Sequence, residues 1–190
     1  MSLFATEYKY CPQCGHSLQN TEVAGRVREN CPSCSFVHWG EFSLGVGGVV
    51  WRGDKILLVQ RAYNPGKGMW TIPGGYVDQN ERIEDAIARE IHEETGILAE
   101  PVSIMALRDR PGAKHDAYLV FLMRDLGGTL QAEPAEVSDI GFFTLEEYRQ
   151  LKIAALSLSV IEASNSVNQG LSLKTGVQLI GELAILYSVR

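Results

Sequence analysis

The sequence predicts an α+β fold with a small cysteine-bearing appendage in front. Three observations predict it. Short apolar runs alternate with Gly-rich turns between residues 42 and 150. One stretch, 81–95, lacks Gly and Pro and has the length of a helix. All four cysteines fall within the first 34 residues. Strands interspersed with few helices argue for an α+β domain rather than a regular doubly wound sheet.

The first strand runs from Leu44 to Trp51 and the next from Ile56 to Gln60, around the turn Arg52-Gly53-Asp54-Lys55. Two apolar runs about a Gly-Asp turn read as a hairpin. Asn64-Pro65-Gly66-Lys67-Gly68 is a loop by composition. The helix over 81–95 stops at Gly96, a residue suited to a helix C-terminus. Ser103–Arg108, Ala117–Met123 and Ile140–Thr144 read as further strands, and Ile153–Ser164 as a second helix. The expected division is residues 1–40 for the appendage, 41–150 for the main domain and 151–190 for a C-terminal helical extension. That extension is either part of the main domain or a homodimer contact. Leu171–Arg190 carries no functional reading.

Composition excludes several classes. A chain of 190 residues has room for one domain and an appendage. No apolar run reaches the ~18 residues of a membrane span. Met1–Tyr10 lacks a basic region followed by an apolar core, so a cytoplasmic protein is expected. A net charge of −6 argues against general nucleic-acid binding.

The cysteines form two C-P-x-C pairs, Cys11/Cys14 and Cys31/Cys34. A reducing compartment disfavours disulfides. Two such pairs instead supply the four thiolates of a closed tetrahedral zinc site. A closed site has no open position, so the expected role of Zn2+ is structural, stabilising a segment too short to bury its own core. Four unrelated cysteines would not share one spacing, and a redox pair would need a strand–helix setting absent here. His16 and His38 read as surface or packing residues.

The most informative stretch is Arg89-Glu90-Ile91-His92-Glu93-Glu94-Thr95-Gly96-Ile97. On a helix, Glu90, Glu93 and Glu94 crowd one side. They also sit in the last turn, where the helix dipole disfavours negative charge. Ile83, Ala86 and Ile87 point to roughly the same side. The carboxylates therefore face the protein body or the rim of a cleft, where unbalanced anions are costly. Divalent cations would neutralise them, and an all-oxygen set suits Mg2+ or Mn2+ rather than zinc. A solvated acidic helix end is the bland alternative.

These residues resemble the Nudix family signature G-x5-E-x7-R-E-U-x-E-E-x-G-U, where U is aliphatic. Gly75, Glu81, Arg89, Glu90, Ile91, Glu93, Glu94, Gly96 and Ile97 match it without departure. The lead-in Trp70-Thr71-Ile72-Pro73-Gly74-Gly75 is also similar, and the cysteine segment resembles the zinc ribbon in front of some Nudix domains. The resemblance implies an α/β/α sandwich with a mixed sheet. It implies metal binding by Glu90, Glu93, Glu94 and the Gly75 backbone, and a Glu81–Arg89 pair bracing loop and helix. Glu136 lies where relatives carry a further catalytic or metal-binding carboxylate, with Glu133 and Asp139 as alternatives. Arg61 is either a phosphate contact or a surface residue. Glu93 or a loop carboxylate is the expected base.

The implied activity is hydrolysis of a diphosphate joining a nucleoside to a second group, a small nucleotide such as ADP-ribose or FAD. NADH pyrophosphatases of this family carry Ser-Gln-Pro-Trp-Pro-Phe-Pro after the box, and the region Ile97–Lys114 lacks it. NADH hydrolysis and RNA decapping are the alternatives. A non-enzymatic ligand sensor is a third, disfavoured by the complete box. Tyr63, Trp70, Tyr76 and Tyr118 are candidates to stack on a base, each equally readable as core.

Overall fold

The computed structural model describes residues 8–164, 171–174 and 185–189. The chain forms two compact units, one of residues 1–42 with 111–115, the other of 43–110 with 116–190.

In the first unit, β1 (Gln19–Val23) and β2 (Arg26–Asn30) make an antiparallel hairpin. Ala24 and Gly25 turn it, with φ of 52° and 75°. Two successive left-handed residues are what a tight I′ hairpin turn needs. The cysteine turns flank this hairpin, each closed by a single bridge, Tyr10 to Ser17 and Asn30 to Val37.

The second unit is built on one large sheet. Its elements are β3 (Glu41–Arg52), β4 (Lys55–Arg61), β5 (Trp70–Thr71), α1 (Ile83–Thr95), β6 (Ile97–Arg110), β7 (Lys114–Gly128) and β8 (Val137–Phe143), followed by α2 (Leu145–Tyr148), α3 (Ala155–Ser164), β9 (Leu171–Lys174) and β10 (Ile185–Val189). The eight strands run β5-β4-β3-β7-β6-β10-β9, with β8 pairing along β4. The β4–β8, β6–β7 and β6–β10 registers are antiparallel. A parallel bridge joins Trp70 to Ile153, so the sheet is mixed.

Alternation along the central strands makes the sandwich. Val46 and Val50 of β3, Leu57 of β4 and Phe121 and Met123 of β7 pack with Ala86, Ile87 and Ile91 of α1. Their neighbours Val49, Ile56, Leu58 and Val120 face the other way and pack with Tyr148, Val160 and Ile161 of α2 and α3. A period of two sends successive side chains to opposite faces, so one sheet carries two cores. This is the α/β/α sandwich expected from the resemblance.

Several expectations change in detail. β6 and β7 extend well beyond 103–108 and 117–123. Register shifts at Leu98/Ala99, Pro101/Ser103 and Ile104/Ala106 interrupt the two-residue period that makes a strand readable. Among the described residues of 151–190, α3 is the helical part. β9 and β10 extend the sheet from β6, through pairs such as Tyr187 to Leu107. Val160 and Ile161 are almost fully buried in the sheet's own core. Among the described residues no helix is long and apolar enough to cross a membrane.

Candidate active site and zinc site

The loop between β5 and α1 is laid along β3 by its backbone. Gly75 accepts from Val46 N–H at 2.8 Å, Pro73 from Gly48 N–H at 2.9 Å, and Val77 N–H donates to Leu44 at 2.9 Å. Gly74 has a φ of 153°, and a Cβ there would lie 2.1 Å from the Val46 carbonyl oxygen, so glycine alone fits. At Gly75 a Cβ would lie 2.4 Å from the Glu90 carboxylate. The backbone thus touches the acidic helix face directly. Gly96, with φ 71°, ends α1 and bonds back to His92 at 2.8 Å.

The acidic face is divided. Glu90 and Glu94 are buried, at 9% and 7% exposure. Glu94 accepts from Gly74 N–H at 2.8 Å. Glu93 has its side chain 57% exposed and pairs with Arg89 at 2.9 Å. Of the three carboxylates expected to face the body or the rim of a cleft, Glu90 and Glu94 face inward and Glu93 is exposed. At 100° per residue, Glu90 and Glu94 fall within the stripe of Ala86, Ile87 and Ile91, and Glu93 falls at its edge.

Arg89 gathers the rest. It makes two bonds to Glu81, at 3.0 and 2.7 Å, one to Glu90 at 3.0 Å and one to the Tyr76 carbonyl at 3.2 Å. Glu81 also accepts from Asp78 N–H at 2.8 Å. The Arg89 bonds, then the Asp78 N–H, pull the Glu81 carboxyl down to about 2. Burial pushes Glu94 up to about 8 against the pull of Gly74 N–H, with the charges of Glu90 and Glu136 adding to the rise. Glu90 is raised too, mainly by burial, and Arg89 only partly offsets this.

A cavity of about 190 Å³ opens beside Glu90, lined among others by Tyr63, Gly75, Tyr76, Arg89 and Glu136. Of the three loop carboxylates, Glu136 is the one on its wall. Glu133 and Asp139 bond to nearby backbone N–H groups, of Ala135 and Ile140. Arg61 bonds to the Pro65 carbonyl at 2.9 Å, lies over the Tyr63 ring at 4.8 Å, and its charge favours ionised Glu94. Of the four candidate stacking rings, Trp70 is buried against Phe143, and Tyr118 is packed inside. Tyr63 and Tyr76 are exposed and face the cavity.

Buried carboxylates that repel one another beside an open space are short of positive charge. Their donor atoms are all oxygens, which fits Mg2+ or Mn2+. Glu90, Gly75 and Glu136 line that space, Glu94 is tied to its wall through Gly74 N–H, and Glu93 is exposed on the same helix turn.

The cysteines make a tighter cluster. Their Sγ atoms all lie within 4.8 Å of one another. The closest pairs are 3.4 Å (Cys14–Cys31) and 3.6 Å (Cys11–Cys34 and Cys14–Cys34). A tetrahedral shell with Zn–S bonds of about 2.3 Å places sulfurs about 3.8 Å apart, and a disulfide needs about 2.05 Å. The spacing fits a metal and not a bridge. Ser33 N–H points at Cys31 Sγ, 3.4 Å away. His38 stays outside the cluster, bonded to Glu29 at 2.9 Å.

Sequence reasoning missed Asp78, which shares the cavity wall, and the packing of Tyr118 against Gly45, Gly47 and Gly74. Glycines inside the first predicted strand were the available signal, since they mark close approach of another group.

The sandwich, the glycine loop and the divided acidic helix define a NUDIX domain, and residues 41–163 match that family. The chain belongs to the Nudix family. It is 35% identical over 112 residues to an ADP-ribose pyrophosphatase of Methanocaldococcus jannaschii, covering 57% of this chain and 66% of that one. It is 29% identical over 143 residues to the NAD-capped RNA hydrolase NudC of Stutzerimonas stutzeri, covering 75% of this chain and 50% of that one. This chain thus spans half to two thirds of those relatives' lengths. The crystal structure of a NUDIX hydrolase from Nitrosomonas europaea superposes with a TM-score of 0.70 over 82% of this chain and 89% of that one, at 24% identity, a likeness of fold.

Proposed function

We propose that this chain is a Mg2+- or Mn2+-dependent hydrolase of nucleoside diphosphates linked to a second group, with ADP-ribose or FAD as substrate. The observation that carries this is the buried Glu90–Glu94 pair, held by the glycine loop beside a cavity and short of positive charge. A divalent cation bound there would neutralise the carboxylates, shield the diphosphate and make water a better nucleophile. Glu90, Glu93, Glu94 and the Gly75 backbone are the proposed ligands. Zn2+, held by Cys11, Cys14, Cys31 and Cys34, is the proposed structural ion.

The chain's own groups then divide the work. Glu81 and Arg89 lock the loop to the helix. Glu93 and Glu136 are exposed and are the proposed proton acceptors for the attacking water. Water adds to one phosphorus, and the bond from that phosphorus to the bridging oxygen breaks. ADP-ribose would give AMP and ribose 5-phosphate. Arg61 is proposed to hold a phosphate, and Tyr63 and Tyr76 offer ring faces to a base.

Similarity to the NudC relative favours a second reading, in which the diphosphate is that of an NAD cap on RNA. A kcat/KM panel of ADP-ribose, FAD, NADH, nucleoside triphosphates and NAD-capped RNA separates them. ADP-ribose or FAD is expected to lead. A lead of more than about tenfold for NADH, a triphosphate or capped RNA, roughly 1.4 kcal/mol in transition-state binding, would overturn the substrate assignment.

A further inference from the structure

Tyr118 of β7 is packed in a groove of three glycines. A Cβ on Gly45 would lie 2.5 Å from its ring, one on Gly47 2.6 Å from its hydroxyl oxygen, and one on Gly74 2.8 Å from the same oxygen. The ring is braced from behind. The Arg108 guanidinium lies 4.9 Å from the ring centroid. Arg108 is ion-paired with Asp116, a buried carboxylate that also accepts from Ser43 Oγ at 2.8 Å. In front of the ring, Gly74 N–H holds Glu94 and the Gly75 backbone abuts Glu90. A continuous line of contacts therefore runs from Asp116 through Arg108, Tyr118 and Gly74 to Glu94. Burial, with the nearby Glu94 charge, holds the Tyr118 hydroxyl well above its usual range, so it adds no anion to an acidic site.

We propose that Tyr118 is a positioning residue, a wedge that fixes the Gly74–Gly75 backbone where it holds Glu94 and Glu90 for a divalent cation. The cation part rests on the function proposed above, and the positioning part rests on the packing alone. Groups that orient metal ligands without touching the metal commonly change affinity by about 10–100-fold when altered.

Two variants test it. Tyr118→Phe keeps the ring and removes the oxygen against Gly74, and Tyr118→Leu removes the ring. Val120→Ala, in the same core, is the packing control. The readouts are Gly74 amide exchange by NMR in metal-free protein and the Mn2+ dissociation constant by EPR, both well below each melting temperature. Faster Gly74 exchange is expected in both tyrosine variants, with Mn2+ binding weakened roughly tenfold in Tyr118→Leu and less in Tyr118→Phe. Val120→Ala is expected to lower the melting temperature and leave both readouts unchanged. Parent-like exchange and affinity in the tyrosine variants would overturn the proposal, as would an equal effect of Val120→Ala. If the parent binds no Mn2+, the cation reading fails, and Gly74 exchange alone decides the positioning.

Discussion

Glu81 shows how one residue ties the loop to the helix. Its two bonds to Arg89 favour the ionised carboxylate in the folded chain, drawing it from an ordinary 4.5 to about 2. A depressed carboxylate contributes stability above its unfolded value, and this is lost as pH falls through the folded one. Glu81→Gln is therefore expected to melt below the parent at pH 7, with the gap closing as pH drops from about 4.5 towards 2. Thermal unfolding at pH 7 and near pH 2 measures it, and a constant gap would refute the pairing. At this scale the sequence was legible where a side chain's chemistry is its signal. The Glu90, Glu93 and Glu94 crowd was visible from spacing alone. The proposed role of Tyr118 was not, because a half-buried tyrosine in a strand looks like any core residue until the glycines facing it are placed.

At the scale of elements, legibility followed periodicity. β4 and α1 lie close to their expected bounds because an unbroken apolar pattern and a terminal glycine define them. β6 and β7 were truncated because bulges shift the pattern from one face to the other. The cysteine turns were readable because ligand chemistry fixes their spacing. The turn at Ala24 was hidden, since alanine rarely adopts φ above zero. The Sγ spacing leads to a definite expectation: metal analysis of freshly purified protein finds one zinc per chain, and Cys14→Ser loses most of it. Loss of the ion is expected to unfold residues 8–42 locally, because β1 and β2 have few buried residues to hold them. Protein with no zinc, or a Cys11–Cys14 disulfide on mass analysis, would contradict this.

On the scale of the whole molecule, the sheet carries two cores and presents the acidic end of α1 to a cavity. Under the proposed function, substrate choice would depend on the cavity wall, where Tyr63, Tyr76 and Glu136 sit on loops that periodicity does not describe. The proposed chemistry is cleavage of a diphosphate by a carboxylate-bound divalent cation and an exposed base. Its most direct measurement is the turnover of ADP-ribose by parent and Glu93→Gln protein, with Mg2+ and with excess chelator. AMP release by the parent is expected only with the cation. A loss of about 10²–10⁴-fold is expected in Glu93→Gln at an unchanged melting temperature. Full activity in chelator, or an unimpaired Glu93→Gln enzyme, would contradict it.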